Sequence, residues 1–410
     1  MAEQKQNFIQ RLNPLNLVRS STVSSSLTRP ASWLYDLMFR TKSGASVTED
    51  SSLQFSAVWS SIRILSETFA SLPLHVYQQT SDGKYIAPNH PVSFVLNFPN
   101  NIQNEFTFWS YLESCRQLYG NAFAQIKRNE AGRPIELIAI HPKRVKIKIV
   151  EGEKFYIVDN KEGAIDDQHM IHVMGLTLDG LVGKSTLTAA REAIGMGLAA
   201  QSFGAQFFGN GANLGGVLIH PGTLTKDAAE RLKRSWDSAQ GGLENSHGTA
   251  VLEEGMKYER IGIPPNDAQF LESRKFQIAD ISRFFRVPLF MLNEMDNSSS
   301  RANIEEQGIS FVRDTVRPMV KAYESEINRK LFRQDERGEF YARFNLEGLL
   351  RGNIQSRYTA YAVGRQWGWL SANDVRDMEN MNPIDGGDIY VTPLNMANVA
   401  TDDSTQNLYD

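Results

Sequence analysis

The chain has 410 residues, of which 41% are apolar and 22% charged, with a formal net charge of −4. This is the composition of a soluble globular protein long enough for two or three packed regions. Near-neutrality argues against a protein that clamps nucleic acid through many phosphate contacts, and the single cysteine, Cys115, excludes an internal disulfide framework. The charge is unevenly placed. Lys5, Arg11, Arg19, Arg29, Arg40 and Lys42 face only Glu3 and Asp36 in the first 45 residues, a net +4 that leaves −8 on the remainder.

Residues 1–50 read as a flexible arm. The Ser/Thr cluster Ser20–Thr28 lacks apolar periodicity, and there is no continuous apolar core of the kind a secretory signal carries. An amphipathic helix follows, with Phe55, Val58, Ile62, Leu65, Phe69 and Leu72 spaced alternately by three and four. Pro73 ends it and the pattern changes to period two: strand Leu74–Tyr77, a hairpin turn at Ser81–Lys84, and a return strand Tyr85–Ala87. A second helix is predicted over Glu105–Tyr119, where Phe108, Leu112, Cys115 and Tyr119 share one face and make Cys115 a packed thiol rather than a nucleophile. Strands at Ala122–Lys127, Glu136–Ile140, Val145–Val150 and Lys154–Val158 complete a mixed α+β region ending near Leu178.

From Ala193 to Thr225 the chain runs 33 residues without Asp, Glu, Lys or Arg, where average composition would place about seven. A helix is predicted over Thr186–Asn210, roughly 37 Å long at the α-helical rise. Its small residues Ala190, Gly197, Gly204 and Gly211 recur every seven, with Ala193 and Ala200 beside them. An uncharged helix with such a seam must be buried against close neighbours, which points to contact between subunits. It is a poor membrane span, because its apolar part, Ile194–Phe208, is short and interrupted by Gln201, Ser202 and Gln206.

A small α/β insert comes next, with strand Gly216–Ile219, helix Lys226–Ser238, and strands Thr249–Glu253 and Tyr258–Ile263. Pro264–Asp267 breaks the chain and caps a helix over Ala268–Arg286, with Leu271, Ile278, Ile281 and Phe285 on one face. A polar loop, Asn293–Ala302, leads into a long helix over Asn303–Phe332, in which Pro318 predicts a kink. A strand at Glu339–Asn345 and two shorter helices precede a polar tail after Asn395.

Chemically suggestive motifs are few. Gly180–Thr186 imitates a phosphate-binding loop, but the position of that motif's first glycine holds the bulky Leu178. Ser185 reads better as a helix cap. His169 and His172 fall on opposite faces of a strand with no further ligands nearby, so no metal site is expected. Asp166-Asp167 and Glu305-Glu306 read as solvated pairs, the latter opening a helix. No spacing of Ser, His and Asp signals nucleophilic catalysis.

Nine stretches stand in a telling order: Val58–Arg63, Leu118–Phe123, Ile140–Val145, Gly175–Ser185, Phe207–Ala212, Asp267–Glu272, Phe285–Pro288, Val375–Asn380 and Gly386–Asp388. Through them the chain resembles the portal proteins, or head–tail connectors, of tailed bacteriophages, from about residue 50 to 390. The resemblance implies an α+β, multi-domain portal fold. Its parts would be a flexible arm (1–50), an α+β wing (51–180), a first stem helix (181–213), an α/β clip (214–264) and a second stem helix (265–288). A tunnel loop (289–302), a kinked helix returning to the wing (303–349), crown-like helices (350–394) and a flexible tail (395–410) would follow.

It further implies a homo-oligomeric ring of about twelve subunits at one capsid vertex, the channel through which double-stranded DNA is packaged and ejected. The implied partners are the large terminase, head-completion or adaptor proteins and the major capsid protein. Neither catalysis, cofactor, metal nor membrane is implied, and the location is the virion, with assembly in the host cytoplasm. Asn297, Ser298, Ser299, Ser300 and Arg301 would touch passing DNA without sequence-specific binding. Glu244, Asn245, Ser246 and His247 would dock terminase and adaptor, and Ala190, Ala193, Gly197, Ala200, Gly204 and Gly211 would form the subunit contact. The alternatives are a nucleotide-driven DNA translocase using Gly183, Lys184 and Ser185, and a non-ring structural adaptor of the virion.

Overall fold

The three-and-four spacing of apolar residues after residue 55 produces a helix at Ser56–Ala70 (α2), with Val58, Ile62, Leu65 and Phe69 buried. A short helix, Glu49–Ser52 (α1), precedes it. The computed structural model describes residues 41–81, 83–159, 163–209, 216–240, 252, 255–260, 267–294, 301–350, 354–379 and 381–391. It divides into two units, one running to Asn345 and the other from Leu346 onward.

In the first unit, β1 (Leu74–Thr80) lies between β2 (Gly83–Ile86) and β11 (Phe340–Phe344), antiparallel to both. Helix α3 (Pro91–Asn97) was not legible as a helix; it starts where the His90 ring accepts a hydrogen bond from the Val92 amide at 3.2 Å. Helix α4 covers Glu105–Tyr119 as predicted, capped by Asn104. A second antiparallel sheet has β3 (Asn121–Arg128) between β4 (Pro134–Ile140) and β8 (Met170–Met174). A third is built from β5 (Val145–Val150), β6 (Glu153–Val158) and β7 (Ala164–Asp166). Phe123, Ile140, Tyr156, Val158 and Met170 form one buried cluster between these two sheets.

The helix expected over Thr186–Asn210 is in two pieces, α5 (Thr186–Ala189) and α6 (Arg191–Gly209), with the break at Ala190. The ladder survives the break, since Ala190 bonds to the Thr186 carbonyl and Ile194 to that of Ala190, both at 2.9 Å. The described part of the insert is β9 (Gly216–Ile219), α7 (Lys226–Gln240) and β10 (Lys257–Arg260), with β9 and β10 antiparallel and Trp236 stacked on Tyr258. Helix α8 (Asp267–Phe285) packs on both α6 and α2.

The long helix is also divided. Helix α9 (Arg301–Phe311) passes through a π-helical turn, Val312–Val316, into α10 (Arg317–Lys330). Pro318 explains the position. It has no N–H to give the Asp314 carbonyl one turn back. Arg286, just past the end of α8, donates to that carbonyl instead, and Thr315 donates its hydroxyl to the Arg286 carbonyl at 2.9 Å.

An aromatic core ties the unit together. Phe69 of α2 lies 4.3 Å from Tyr323 of α10 and 5.0 Å from Phe344 of β11, centroid to centroid. Trp109 of α4 meets Phe69, Tyr323 and Phe344 edge-on. Beneath it sits Glu113, fully buried, accepting from Arg116 at 2.7 and 2.8 Å, from Gln117 at 2.7 Å and from the Tyr323 hydroxyl at 3.1 Å. Burial opposes the Arg116 charge, but the Glu113 carboxylate outweighs it and holds the guanidinium above its ordinary pKa.

The second unit is helical, with α11 (Glu347–Leu350), α12 (Ile354–Gln366) and α13 (Ala372–Met378). Arg357 and Tyr361 of α12 both reach Glu379, at 3.0 Å each, and Ser371 caps α13 in a reciprocal pair with Asp374.

Removing Glu113 strands a buried guanidinium and a buried phenol. Glu113→Ala is expected to lower unfolding free energy by about 3–5 kcal/mol, read by chemical denaturation. A loss below about 1 kcal/mol would show that the pair is solvated.

Candidate functional site

Helix α5 begins beside a point where two glycines meet. Gly120 caps α4 in the left-handed region at φ 78°, and a Cβ there would lie 2.4 Å from the Gly183 carbonyl oxygen. A Cβ on Gly183 would lie 2.0 Å from the Gly120 oxygen. No other residue type fits either position. Asn121 locks the approach. Its amide nitrogen donates to the Tyr119 carbonyl at 3.1 Å and to that of Gly183 at 3.0 Å. Its oxygen accepts from the Gly183 amide at 2.8 Å and from His172 Nε2 at 3.0 Å.

Because Asn121 presents its oxygen there, His172 carries its proton on Nε2, and Nδ1 accepts from Lys154 at 3.1 Å. Burial, with Lys154 and Lys330 adding, pushes the His172 pKa down to about 3. The network continues through Tyr156, whose hydroxyl donates to Asp167 at 3.1 Å. Lys330, its side chain fully buried, donates to Asp167 at 3.1 Å, to Glu326 at 2.8 Å and to the Met170 carbonyl at 2.6 Å. Burial works against the Asp167 charge, but Lys330 and Arg329 hold it below the usual carboxylate range. His169 stands apart, paired with Asp166 at 2.7 Å. Neither histidine is placed as half of a metal site.

The imitation phosphate loop is a rigid finger. Thr177 bridges to Gly183, and Asp179 accepts from the Leu181 and Val182 amides at 2.8 and 2.9 Å, which lowers its pKa. The Gly183 amide goes to Asn121 and the Lys184 amide to the Leu176 carbonyl at 2.7 Å. The amides beside the lysine are thus consumed inside the chain, where a phosphate cradle needs them free. Ser185 caps α5, accepting from Thr188 at 3.1 Å, and donates to the Leu118 carbonyl at 2.6 Å. Cys115 is buried, its thiol pushed up to about 11 by desolvation.

Along the seam, Ala190 is fully buried within the chain, and a Cβ on Gly197 would lie 2.8 Å from the Phe55 ring. Gly195, outside the seam, is equally tight against Thr41. Ala193 and Ala200 are half-buried and Gly204 is buried. Ala190 and Gly197 therefore serve packing inside one chain, and enlarging Gly197 disturbs the fold before it can report on assembly. Met196 and Phe203 lie on the exposed side of α6. Arg301 opens α9, while Gly211, Asn297, Ser298, Ser299, Ser300, Glu244, Asn245, Ser246 and His247 lie outside the described residues. Sequence reasoning missed Asn121 and the leucines of the finger. Their signal was present in Leu176, Leu178, Leu181 and Val182, apolar residues set among Gly, Asp and Thr.

Residues 56–380 match the phage portal protein family. The chain belongs to that family. A probable portal protein of Streptomyces phage phiC31 is 34% identical over 387 residues, covering 89% of this chain and 83% of the relative. The fold matches an HK97-family phage portal protein from Corynebacterium diphtheriae, with TM-score 0.58, 20% identity, and coverage of 75% of this chain and 97% of the other. It also matches the neck of a native gene transfer agent particle computed with C12 symmetry, with TM-score 0.56, 22% identity, and coverage of 86% and 100%. The family is structural, and the mixed helix-and-strand portal fold expected from the sequence is the fold observed. Among the described residues, no helix is long and apolar enough to cross a membrane.

Gly120→Ala combines a left-handed penalty with a backbone collision, and is expected to cost about 2–5 kcal/mol in denaturant unfolding. The His172 pKa is lower in the folded state than the ordinary 6.5, so below pH 6.5 the unfolded chain binds more protons. Stability from this group is complete above pH 6.5 and is lost as pH falls toward about 3. Thermal midpoints between pH 6.5 and 4 should decline less steeply in His172→Gln than in the parent, the remaining slope coming from His90 and His141, whose pKa values burial also lowers, and toward pH 4 from carboxylates held low in the fold, Asp166 and Asp167 among them. Equal slopes would show that His172 is solvated.

Proposed function

We propose that the chain forms a homo-oligomeric ring of about twelve subunits around a channel for double-stranded DNA at one vertex of a phage capsid. The family match carries this reading, because residues 56–380 include α6, the insert and α8 as well as the surrounding body. In this reading α6 and α8 are the stem, the insert is the clip that meets the large terminase and later the head-completion proteins, and 289–302 is the tunnel loop. The major capsid protein surrounds the ring, and assembly takes place in the host cytoplasm. Ala193 and Ala200, half-buried on α6, together with Gly204 and Gly211, contribute the close approach of neighbouring stems. Glu244–His247 dock the clip's partners, and Asn297–Arg301 face the DNA.

The electrostatics of the stem support the channel. Helix α6 carries one arginine and one glutamate, both in its first turn, and α8 carries three acids and three bases. Neither helix has net charge. A wall that gripped phosphates would add binding energy that every base-pair step of DNA movement must break.

Negative-stain microscopy of the purified protein is expected to show rings with a central hole, and light scattering a mass near twelve times 46.1 kDa. A stable species at 46.1 kDa across concentrations would overturn the reading.

A further inference from the structure

Two apolar surfaces stand exposed in the first unit, one near each end of α4. One is the finger, where Leu176 and Leu178 are 76% and 75% exposed and Leu181 and Val182 39% and 43%. The other runs from α3 into α4. Phe94 and Phe98 are each 64% exposed with rings 5.2 Å apart, Ile102 is 93% exposed and Phe106 46%.

Both surfaces are held in place. The finger is pinned by Asp179, Asn121 and the Gly120–Gly183 approach. The aromatic surface is pinned by Asn100, whose oxygen accepts from the Ile102 and Gln103 amides at 2.9 and 2.8 Å and whose nitrogen donates to the Leu137 carbonyl at 3.0 Å. The Leu137 amide returns a bond to the Pro99 carbonyl at 2.7 Å. Chains rarely order a loop to hold leucines and phenylalanines in water unless another surface covers them.

Helix α4 keeps the two apart. Phe106 lies in its first turn and the finger is rooted at its C-cap, Gly120. Gly120 is 14 positions beyond Phe106, about 21 Å at the α-helical rise. They cannot meet within one chain. A closed ring of identical copies is built from two different matching surfaces on each subunit. We infer that the finger of one copy seats on the Phe94–Phe98–Ile102–Phe106 surface of the next. The finger's one charged side chain, Asp179, is turned back onto its own amides, so the contact strands no free carboxylate. This inference rests on the ring reading above.

The test is a double variant, Leu178→Cys with Ile102→Cys, in the full chain. The two sites are too far apart to bridge within one copy, since a disulfide needs Cα atoms within about 7 Å. Buried Cys115 stays silent. Mild oxidation of assembled rings should give a non-reducing ladder in multiples of 46.1 kDa, collapsed by reductant, with neither single variant cross-linking. Rings without a ladder overturn the contact and leave the ring reading standing. Dimers from Leu178→Cys alone mean that finger meets finger, and also overturn it. Protein that stays monomeric overturns both.

Leu178→Asp and Ile102→Asp give a second reading that needs no cross-link. Each should weaken assembly at least about tenfold with the chain's thermal midpoint unchanged, while Ile86→Asp, at a site also exposed (53%), should not. Asp variants that assemble like the parent, including any that lose only capsid-protein binding, refute the proposed contact.

Discussion

Two stretches of backbone meet at Gly120 and Gly183 with no side chain between them, and much of the first unit takes its bearings from that meeting. It ends α4, starts β3, roots the finger and sets the first turn of α5 within a few residues of one another. Close backbone approach of this kind is stable only if the polar groups it buries are paired. The Asn121 side chain does that with both hydrogens and both lone pairs engaged, which leaves it no alternative orientation.

The driving force and the specificity come from different groups. Phe69, Trp109, Tyr323 and Phe344 supply the apolar burial that favours collapse, but aromatic contacts tolerate sliding. Charged groups do not. Helix α10 touches two buried ionic clusters, with Tyr323 against Glu113 near its middle, and Glu326 and Lys330 against Asp167 toward its end. Sliding α10 by one turn would strand charges in both places, at a cost well above that of rearranged methyl groups. The register of α10 is fixed electrostatically, although the helix is held in place hydrophobically.

Elements whose signal is local were legible in the sequence. The periodicity of α2 and α4, the hairpin of β1 and β2, the bounds of α8 and the order of helix, small α/β insert and helix all follow from neighbours a few residues apart. Features that depend on distant partners were not. Gly197 reads as a surface seam until Phe55 is seen against it, 142 positions earlier in the chain. The kink assigned to Pro318 lies in the preceding turn, because Arg286 is there to take up the spare carbonyl. Phe94, Phe98 and Phe106 carry the composition of a core, and only the fold reveals that they face outward. Nothing local indicated that His172 would join a network reaching Lys330.

The π turn between α9 and α10 has a mechanical consequence. In an ordinary helix, bending one half against the other stretches backbone hydrogen bonds on the convex side. Here the Asp314 carbonyl has no donor four residues on, because Pro318 offers it nothing, and an arginine side chain from just past the end of α8 bonds it. Bending the helix at that point therefore stretches no bond between Asp314 and Pro318. The long helix carries a gap in its own ladder that is braced from outside, by the Arg286 guanidinium and by the Thr315 hydroxyl on the Arg286 carbonyl.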